Sequence, residues 1–396
     1  MHKHIYPILN KLGIRSWCPE IEDSAMEQVE NLARLPFAFK HIALMPDCHT
    51  GYGMPIGGVF AANNVVVPSA VGFDISCGML SYKTPLVALD TPKEVLRGVI
   101  QTARKTIPIG GKWRGEAQRD DMPEIKSGDS LKIVEEQWER ATCQIGTLGG
   151  KNSNHFIEIQ KDSNQNIWVM IHSGSRNLGY KVAEHYGNLA KKLNKKYYSS
   201  IPEKYQLAFL PMDSDEGQAY WREMNYCTEF ALANRMRMLE DVKKAFQGNR
   251  EIPQVIWHDE VLNIHHNYAT MEHHFGQNVV VHRKGATSAR KGQLGIIPGS
   301  QGTNSYIVKG LGNELSFNSC SHGAGRKMGR KQAIRELNFE DEKKALDEKN
   351  ILHSVTSKST LDEAPGAYKN IDEVMKNQED LVEIVETLTP LAVIKG

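Results

Sequence analysis

The segment GFDISCGM (72–79) places a carboxylate, Asp74, three residues ahead of a thiol, Cys77, on what its flanking glycines mark as a tight turn. A hard oxygen and a soft sulfur aimed at one point suit a borderline transition metal better than Mg²⁺ or Ca²⁺. Imidazole donors to complete the set stand in three further motifs: His155 in GGKNSNHFIE (149–158), His172 in IHSGSRNLG (171–179) and His266 in HHN (265–267). Structural zinc sites are usually closed by four protein ligands, so a mixed S/N/O set with open positions points to catalysis. Any one of these residues alone reads more readily as a packed or hydrogen-bonded core residue. Their recurrence at the ends of apolar runs is what suggests a shared site. His258, His273 and His274 lie at roughly helical spacing and read as a polar helix face.

A second chemistry sits in NSCSHGAGR (318–326). His322 is followed by Gly323 and Gly325, and Arg326 is expected to open a basic helix, RKMGRKQAIRE. A glycine turn at a helix N-terminus offers N–H groups to phosphate, with Arg as a bidentate partner. A His at that point could attack phosphorus directly. The alternative is an ordinary helix start with a solvated basic face. Familiar nucleotide devices are absent. GTLGGKN (146–152) lacks P-loop spacing and has Asn152 where Ser or Thr belongs, no GxGxxG follows a strand, and no Lys stands in a KxDG setting.

The elements that must position these residues alternate between two textures. Helical patterns run over Asp23–Leu35, Lys93–Thr106, Ser130–Gln144, Leu178–Tyr197, Glu216–Phe246 and Ile371–Leu388. The longest of them carries no chemically suggestive cluster. Short apolar runs between Gly-rich turns read as strands over His41–Tyr82, at Ile167–Ile171 and from Asn278 onward. The closing run Leu391–Ile394 reads as a short buried strand that fixes Lys395. The class is mixed α/β. No linker, low-complexity tract or fixed-period repeat divides the chain, so one domain over 1–396 is expected, with a helical segment at about 178–250.

The 396 residues carry 48 Lys+Arg against 47 Asp+Glu, a formal charge of +1, which excludes nucleic-acid binding by bulk charge and leaves a local basic channel open. No apolar run approaches the ~20 residues that span a bilayer. The six cysteines form no CxxC pair, and the start, MHKHIYPILN, lacks a secretory pattern. A reducing cytoplasm is therefore expected, with no membrane association.

In chain order, MPDCHTGYGMPIGG (45–58), DISCGM, NHFIE, HSGSR, HHN, RKGATSARKG, GIIPGS, SCSHGAGR, AYKNID and the terminal KG resemble the RtcB-type RNA ligase family over about residues 30–396. The resemblance implies a single large mixed α/β domain peculiar to the family. It implies a 3′-phosphate/5′-hydroxyl RNA ligase that also accepts 2′,3′-cyclic phosphate ends and serves RNA repair or tRNA splicing. It further implies GTP and two Mn²⁺ ions, and a covalent GMP adduct on His322. The metal ligands it implies are Asp74, Cys77, His155, His172 and His266. Its guanylate contacts fall on Asn154, His155, Phe156, Ile157 and Glu158, on His266 and Asn267, on Pro298, Gly299, Ser300, Gln301 and Ser305, and on His322, Gly323, Ala324, Gly325, Tyr368 and Lys395. RNA, held at Arg176 and Arg326, is the implied partner of a monomer, with an archease-like activator.

The residue chemistry is compatible with that scheme. Attack on a bare 3′-phosphate would have to expel oxide or hydroxide, whereas a 3′-phosphate coupled to GMP has GMP as its leaving group. Arg176, Arg283, Lys284, Arg290, Arg326, Lys327 and Arg330 are further phosphate-contact residues to expect, and such contacts favour weak sequence preference. Three departures stand near the pocket: Asn177 replaces the Gly of HSGSRG, Gln301 replaces the Met of PGSMG, and GGKNSNHF is about two residues longer than usual. A cyclic phosphodiesterase using only the metal pocket, or an RNA-binding paralogue without ligase activity, are the alternatives. His322 in its full setting argues against both.

Overall fold

Three neighbouring strands, Gly78–Val87, Asn166–Ser173 and Phe156–Lys161, each start or stop at one of the polar motifs. Cys77 immediately precedes the first, His172 lies at the end of the second, and His155 immediately precedes the third. Register then aligns the motifs, because His172 pairs with Met79 on one side and Phe156 on the other. The computed structural model describes residues 12–128, 130–149 and 154–396, and the backbone of 4–6. The extension within GGKNSNHF (150–153) and most of the opening segment lie outside the described residues.

These strands belong to a seven-stranded sheet ordered Leu262–His265, Gly78–Val87, Asn166–Ser173, Phe156–Lys161, Val382–Lys395, Ser305–Gly310 and Leu294–Ile297. A six-stranded sheet runs His4–Tyr6, Gly13–Ser16, Ala38–Tyr52, Met54–Ala62, Gln277–Lys284 and Asn267–His274. His266 is the single residue between the last-named strand and Leu262–His265, so it sits where the chain passes from one sheet to the other. Its backbone N–H donates to Cys77 O at 2.9 Å, and its carbonyl accepts from Ala286 N. A short pair, Ala286–Ser288 with Ser319–Ser321, carries the chain to His322.

The helices form where apolar residues recur on one face. Val95, Leu96, Val99, Ile100 and Ala103 of Lys93–Thr106 are buried together with Ile157, Ile159 and Ile394 of the seven-stranded sheet. The longest helix, Asp215–Gln247, is capped by Ser214, whose hydroxyl accepts from Gly217 N. It packs with Arg176–Lys196 around Val182, Tyr186, Tyr220, Met224 and Phe230. No helix among the described residues is long and apolar enough to cross a membrane.

Four sequence expectations are corrected. The helix placed at Ile371–Leu388 ends at Lys376, and Val382–Lys395 is a fourteen-residue strand. The i, i+3/i+4 spacing of Ile371, Val374, Leu381 and Val385 mimics a helix, but β-branched residues dominate after 381. The strand pairs first with Ser305–Gly310 and then with Phe156–Lys161, shifting register between Pro390 and Ala392. His273 and His274 end the strand Asn267–His274 and so share no helix face; His258 lies outside regular structure. The basic helix starts at Arg330, after Gly329, and spans seven residues, so Gly323–Gly325 is a turn in extended chain. Arg283 and Lys284 are buried. Arg283 is paired with Glu272 at 2.6 Å, and Lys284 donates to Tyr52 O and Ser69 O, so neither is offered to RNA.

Candidate active site

Cys77 is shared by two groups of close donor atoms, Cys77–His172–His266 and Asp74–Cys77–His155. Its Sγ lies 3.2 Å from His172 Nε2 and 3.3 Å from His155 Nε2. His172 Nε2 lies 3.3 Å from His266 Nε2, and His155 Nε2 lies 3.1 Å from Asp74 Oδ2. The tautomers are set from behind, since His155 Nδ1 donates to Leu148 O at 2.8 Å and His172 Nδ1 to Asn154 O at 3.2 Å. Lone pairs of sulfur, nitrogen and oxygen therefore converge with too few protons between them, and Asp74 Oδ1 is buried with no partner. That donor set fits a borderline divalent transition metal.

Burial pushes the Cys77 thiol well up and the His172 and His266 imidazoles well down, so each prefers neutrality without a cation. Burial also opposes ionisation of Asp74, yet His155 and Arg176 beside it hold its carboxyl below the usual range. The loop is tight. Ser76 has a left-handed φ of 55°, and a Cβ at Gly174 would collide with the Asp74 carboxylate.

Next to this cluster the His266 and His322 rings meet at 4.7 Å between centroids. His322 Nδ1 donates to Asp47 Oδ2 at 2.6 Å, and the His322 backbone N–H donates to the same oxygen at 3.1 Å. Asp47 is fully buried. A carboxylate can only accept, so the proton stays on Nδ1 and the neutral ring keeps a bare lone pair on Nε2. Gly325, at φ 72°, brings the turn against Asp47 where any Cβ would clash.

His322 lines a cleft of about 310 Å³ with His49, Asn154, Phe156, His172, the Pro298–Gly299 turn, Tyr368 and Lys395. At its far end Glu363 gathers four partners. Lys395 Nζ donates at 2.8 Å, Tyr368 Oη at 2.6 Å, Arg330 at 2.6 Å and Arg326 at 3.1 Å. Burial opposes the charge on Glu363, but Lys395 and Arg330 hold its carboxyl down to about 2. Glu158 is buried on the neighbouring strand, and desolvation lifts its carboxyl to about 7 against a 2.6 Å hydrogen bond from Gln160.

The family model described as tRNA-splicing ligase RtcB matches residues 28–128 and 112–396. The chain belongs to the RtcB family. It is 39% identical to the RNA-splicing ligase RtcB of Escherichia coli K12, over 95% of each chain. It is 35% identical to the tRNA-splicing ligase RtcB of Nanoarchaeum equitans, over 95% of this chain and 92% of that one. The RNA-splicing ligase RtcB of Mycobacterium tuberculosis is 32% identical, over 93% of this chain and all of its own length.

In this RtcB-family chain the five expected metal ligands lie together, and His322 lies beside them. Of the expected guanylate contacts, Asn154, Phe156, Pro298, Gly299, His322, Gly323, Ala324, Gly325, Tyr368 and Lys395 line the cleft. Ser305 Oγ accepts from Gly299 N and Gln160 Nε2 and so fixes that wall. Ser300 is buried, its N–H donating to Thr303 Oγ1. Ile157 instead packs into the core below the sheet, and the Asn267 carboxamide bridges Asp74 O and Gly285 N. Gln301 ties the turn to its surroundings, donating to Glu363 O and accepting from Ser354 N. Arg176 lies 3.1 Å from His155 Nδ1 with its buried Nε unpartnered, whereas Arg326 is held by Asp362 O and Glu363. Asn177 Nδ2 is likewise buried and unpartnered.

Four residues were missed. Asp47 lay inside a quoted motif, but nothing in sequence linked it to His322. Asn234 and Arg235 lie on the longest helix, in which the sequence shows no chemically suggestive cluster. Asn234 donates to Ser173 Oγ and Gly174 O, and Arg235 donates to Ser173 O at 2.8 Å, bracing the turn after His172. Their signal was a polar pair interrupting the apolar stripe Phe230, Ala231, Met238, Leu239. Glu363 had no signal.

Proposed function

We propose that this chain is a GTP-dependent RNA ligase that joins a 3′-phosphate or 2′,3′-cyclic phosphate end to a 5′-hydroxyl end, the whole chain acting as one ligase domain. The observation that carries the reading is His322 itself. Its Nδ1 is locked by buried Asp47, its Nε2 is left bare in the cleft, and its ring abuts His266. His322 Nε2 attacks the α-phosphorus of GTP and expels pyrophosphate, with Asp47 stabilising the imidazolium that forms. A cyclic end is first opened by water, which breaks the O2′–P bond and leaves a 2′-hydroxyl and a 3′-phosphate. A 3′-phosphate oxygen then takes GMP from the histidine, and the 5′-hydroxyl attacks that phosphate, forming the phosphodiester and releasing GMP. Asp74, Cys77, His155, His172 and His266 would hold two Mn²⁺ ions, which neutralise phosphate charge and lower the pKa of an attacking hydroxyl. Lys395 and Glu158 flank the guanine end. Lys395 can donate to the guanine carbonyl oxygen, and ionised Glu158 can accept from the guanine N1–H and 2-amino groups; adenine has no carbonyl, no N1–H and no 2-amino group. RNA is the substrate, met by Arg176, while Arg326, held by Asp362 O and Glu363, fixes the cleft wall. The enzyme acts in the cytoplasm as a monomer with an archease-like activator.

Incubation with labelled GTP and Mn²⁺ tests this reading. Acid-labile label is expected on the protein and is abolished by His322→Ala with metal content retained. Labelling that persists in that variant, or no labelling of the parent, sinks the assignment.

A further inference from the structure

Beyond Arg176, one face of the Arg176–Lys196 helix leads away from the active site and takes no part in the chemistry above. Arg176, Tyr180, Gly187, Lys191 and Lys195 fall at spacings of four, seven, four and four residues, which is a single helical stripe. At its upper end Phe73, the residue before Asp74, is 43% exposed. Its ring lies 5.3 Å from that of Tyr52, itself 36% exposed, and 5.7 Å from that of Tyr180, 42% exposed. The three rings line a groove of about 210 Å³ that continues past Gly187 to Lys191. A Cβ built on Gly187 meets no atom within 4 Å, so the floor of the groove is open there.

We propose that this stripe is a track for a single-stranded RNA end, with Tyr52, Phe73 and Tyr180 as a base-stacking platform and Lys191 and Lys195 following the phosphates. The proposal rests on the ligase reading and adds to it the surface that holds the substrate outside the catalytic cleft. Three adjacent aromatic side chains left in water beside a metal-ligand turn are costly for folding and suited to stacking on any base. The local charge agrees. Glu184 intrudes into the groove, but Lys181 at 2.8 Å and the Tyr180 hydroxyl at 3.1 Å occupy its carboxylate. Lys195 shares Glu203 at 3.1 Å in an exposed pair that phosphate can displace. From Tyr180 to Lys195 the helix rises about 22 Å, room for about six stacked nucleotides. Arg176, half-buried and with an unpartnered Nε, stands where the track meets Asp74 and His155.

The test is fluorescence anisotropy with Mn²⁺ and two labelled 12-nucleotide strands, one ending in a 3′-phosphate and the other beginning with a 5′-hydroxyl. Tyr180→Ala removes one stacking face, and Gly187→Trp fills the groove at a site where the fold has space. Each is expected to weaken binding of at least one strand about tenfold, and the strand affected identifies which RNA end lies on the track. Gly187→Trp is expected to unfold at the parental temperature. Parental affinity for both strands in both variants overturns the track and leaves the ligase reading standing. A parent protein that takes no label from GTP and binds neither strand overturns both.

Discussion

The two ends of the cleft bury polar side chains in opposite ways. At the Asp74–His266 end, Cys77 lies within 3.3 Å of His155 and His172, His172 lies 3.3 Å from His266, and burial drives Cys77, His172 and His266 towards neutrality. At the Glu363 end, one carboxylate is met by Lys395, Arg330 and Arg326 and is held ionised by them. The first end gathers donor atoms in an arrangement that fits a cation. The second is complete and spends its energy on joining the 326–330 segment to the last strand. His322 lies between them, tied by Asp47 so that its reactive nitrogen belongs to neither network.

The largest expected effect breaks the self-sufficient end. Glu363→Gln takes the carboxylate partner from half-buried Lys395 and Arg326, while Arg330 keeps Asp362 at 2.9 Å, and is expected to cost about 3 kcal/mol in denaturant unfolding, with Mn²⁺ affinity unchanged. Glu363, with its carboxyl held at about 2, contributes stability that is full above the ordinary glutamate range and is lost as pH falls towards about 2. The acid-unfolding curve of the variant should therefore be flatter between about pH 4.5 and pH 2.

At the other end, Cys77→Ser replaces the shared soft ligand with a weakly acidic hydroxyl. Mn²⁺ affinity measured by calorimetry should fall about 100-fold, while thermal stability without metal stays close to that of the parent. Equal Mn²⁺ affinity would make Cys77 a packing residue. Asn234→Ala probes the support beneath the same end and should weaken Mn²⁺ about tenfold through misplacement of the turn after His172. The smallest effect sharpens the boundary between the ends. Lys395→Met keeps an unbranched side chain of similar length and removes the ammonium that lies 4.9 Å from the Phe156 ring centroid, so the preference for GTP over ATP in covalent labelling should narrow about fivefold. An unchanged ratio would confine Lys395 to its pair with Glu363.

Legibility differed between the ends for a physical reason. Metal-donor residue types are scarce, and Gly turns at strand ends mark themselves, so Asp74, Cys77, His155, His172 and His266 stood out as a set, though none did alone. Glu363 is one acidic residue among many in an unremarkable LDEAPG stretch. Its role comes from partners drawn from the last strand and the 326–330 segment. The terminal strand was half visible: Leu391–Lys395 read correctly, whereas 377–388 imitated helical spacing and was decided by pairing with Ser305–Gly310. The expected basic helix at Arg326 failed because Ala367 O takes the Lys327 N–H and the chain stays extended to Gly329.

By itself the sequence determined the mixed α/β class, most helices to within two or three residues, the family resemblance and the residue types able to do the chemistry. Those properties depend on local periodicity and on side-chain identity, which neighbours along the chain are enough to express. Only the tertiary structure decided that Asp47 orients His322, that Arg235 and Asn234 stand beneath His172, that Arg283 and Lys284 are withdrawn from solvent, and that Glu363 closes the far end of the cleft. Each of these is a charge or hydrogen bond bridging residues tens to hundreds of positions apart, and its sign and strength are set by burial, which no local pattern encodes.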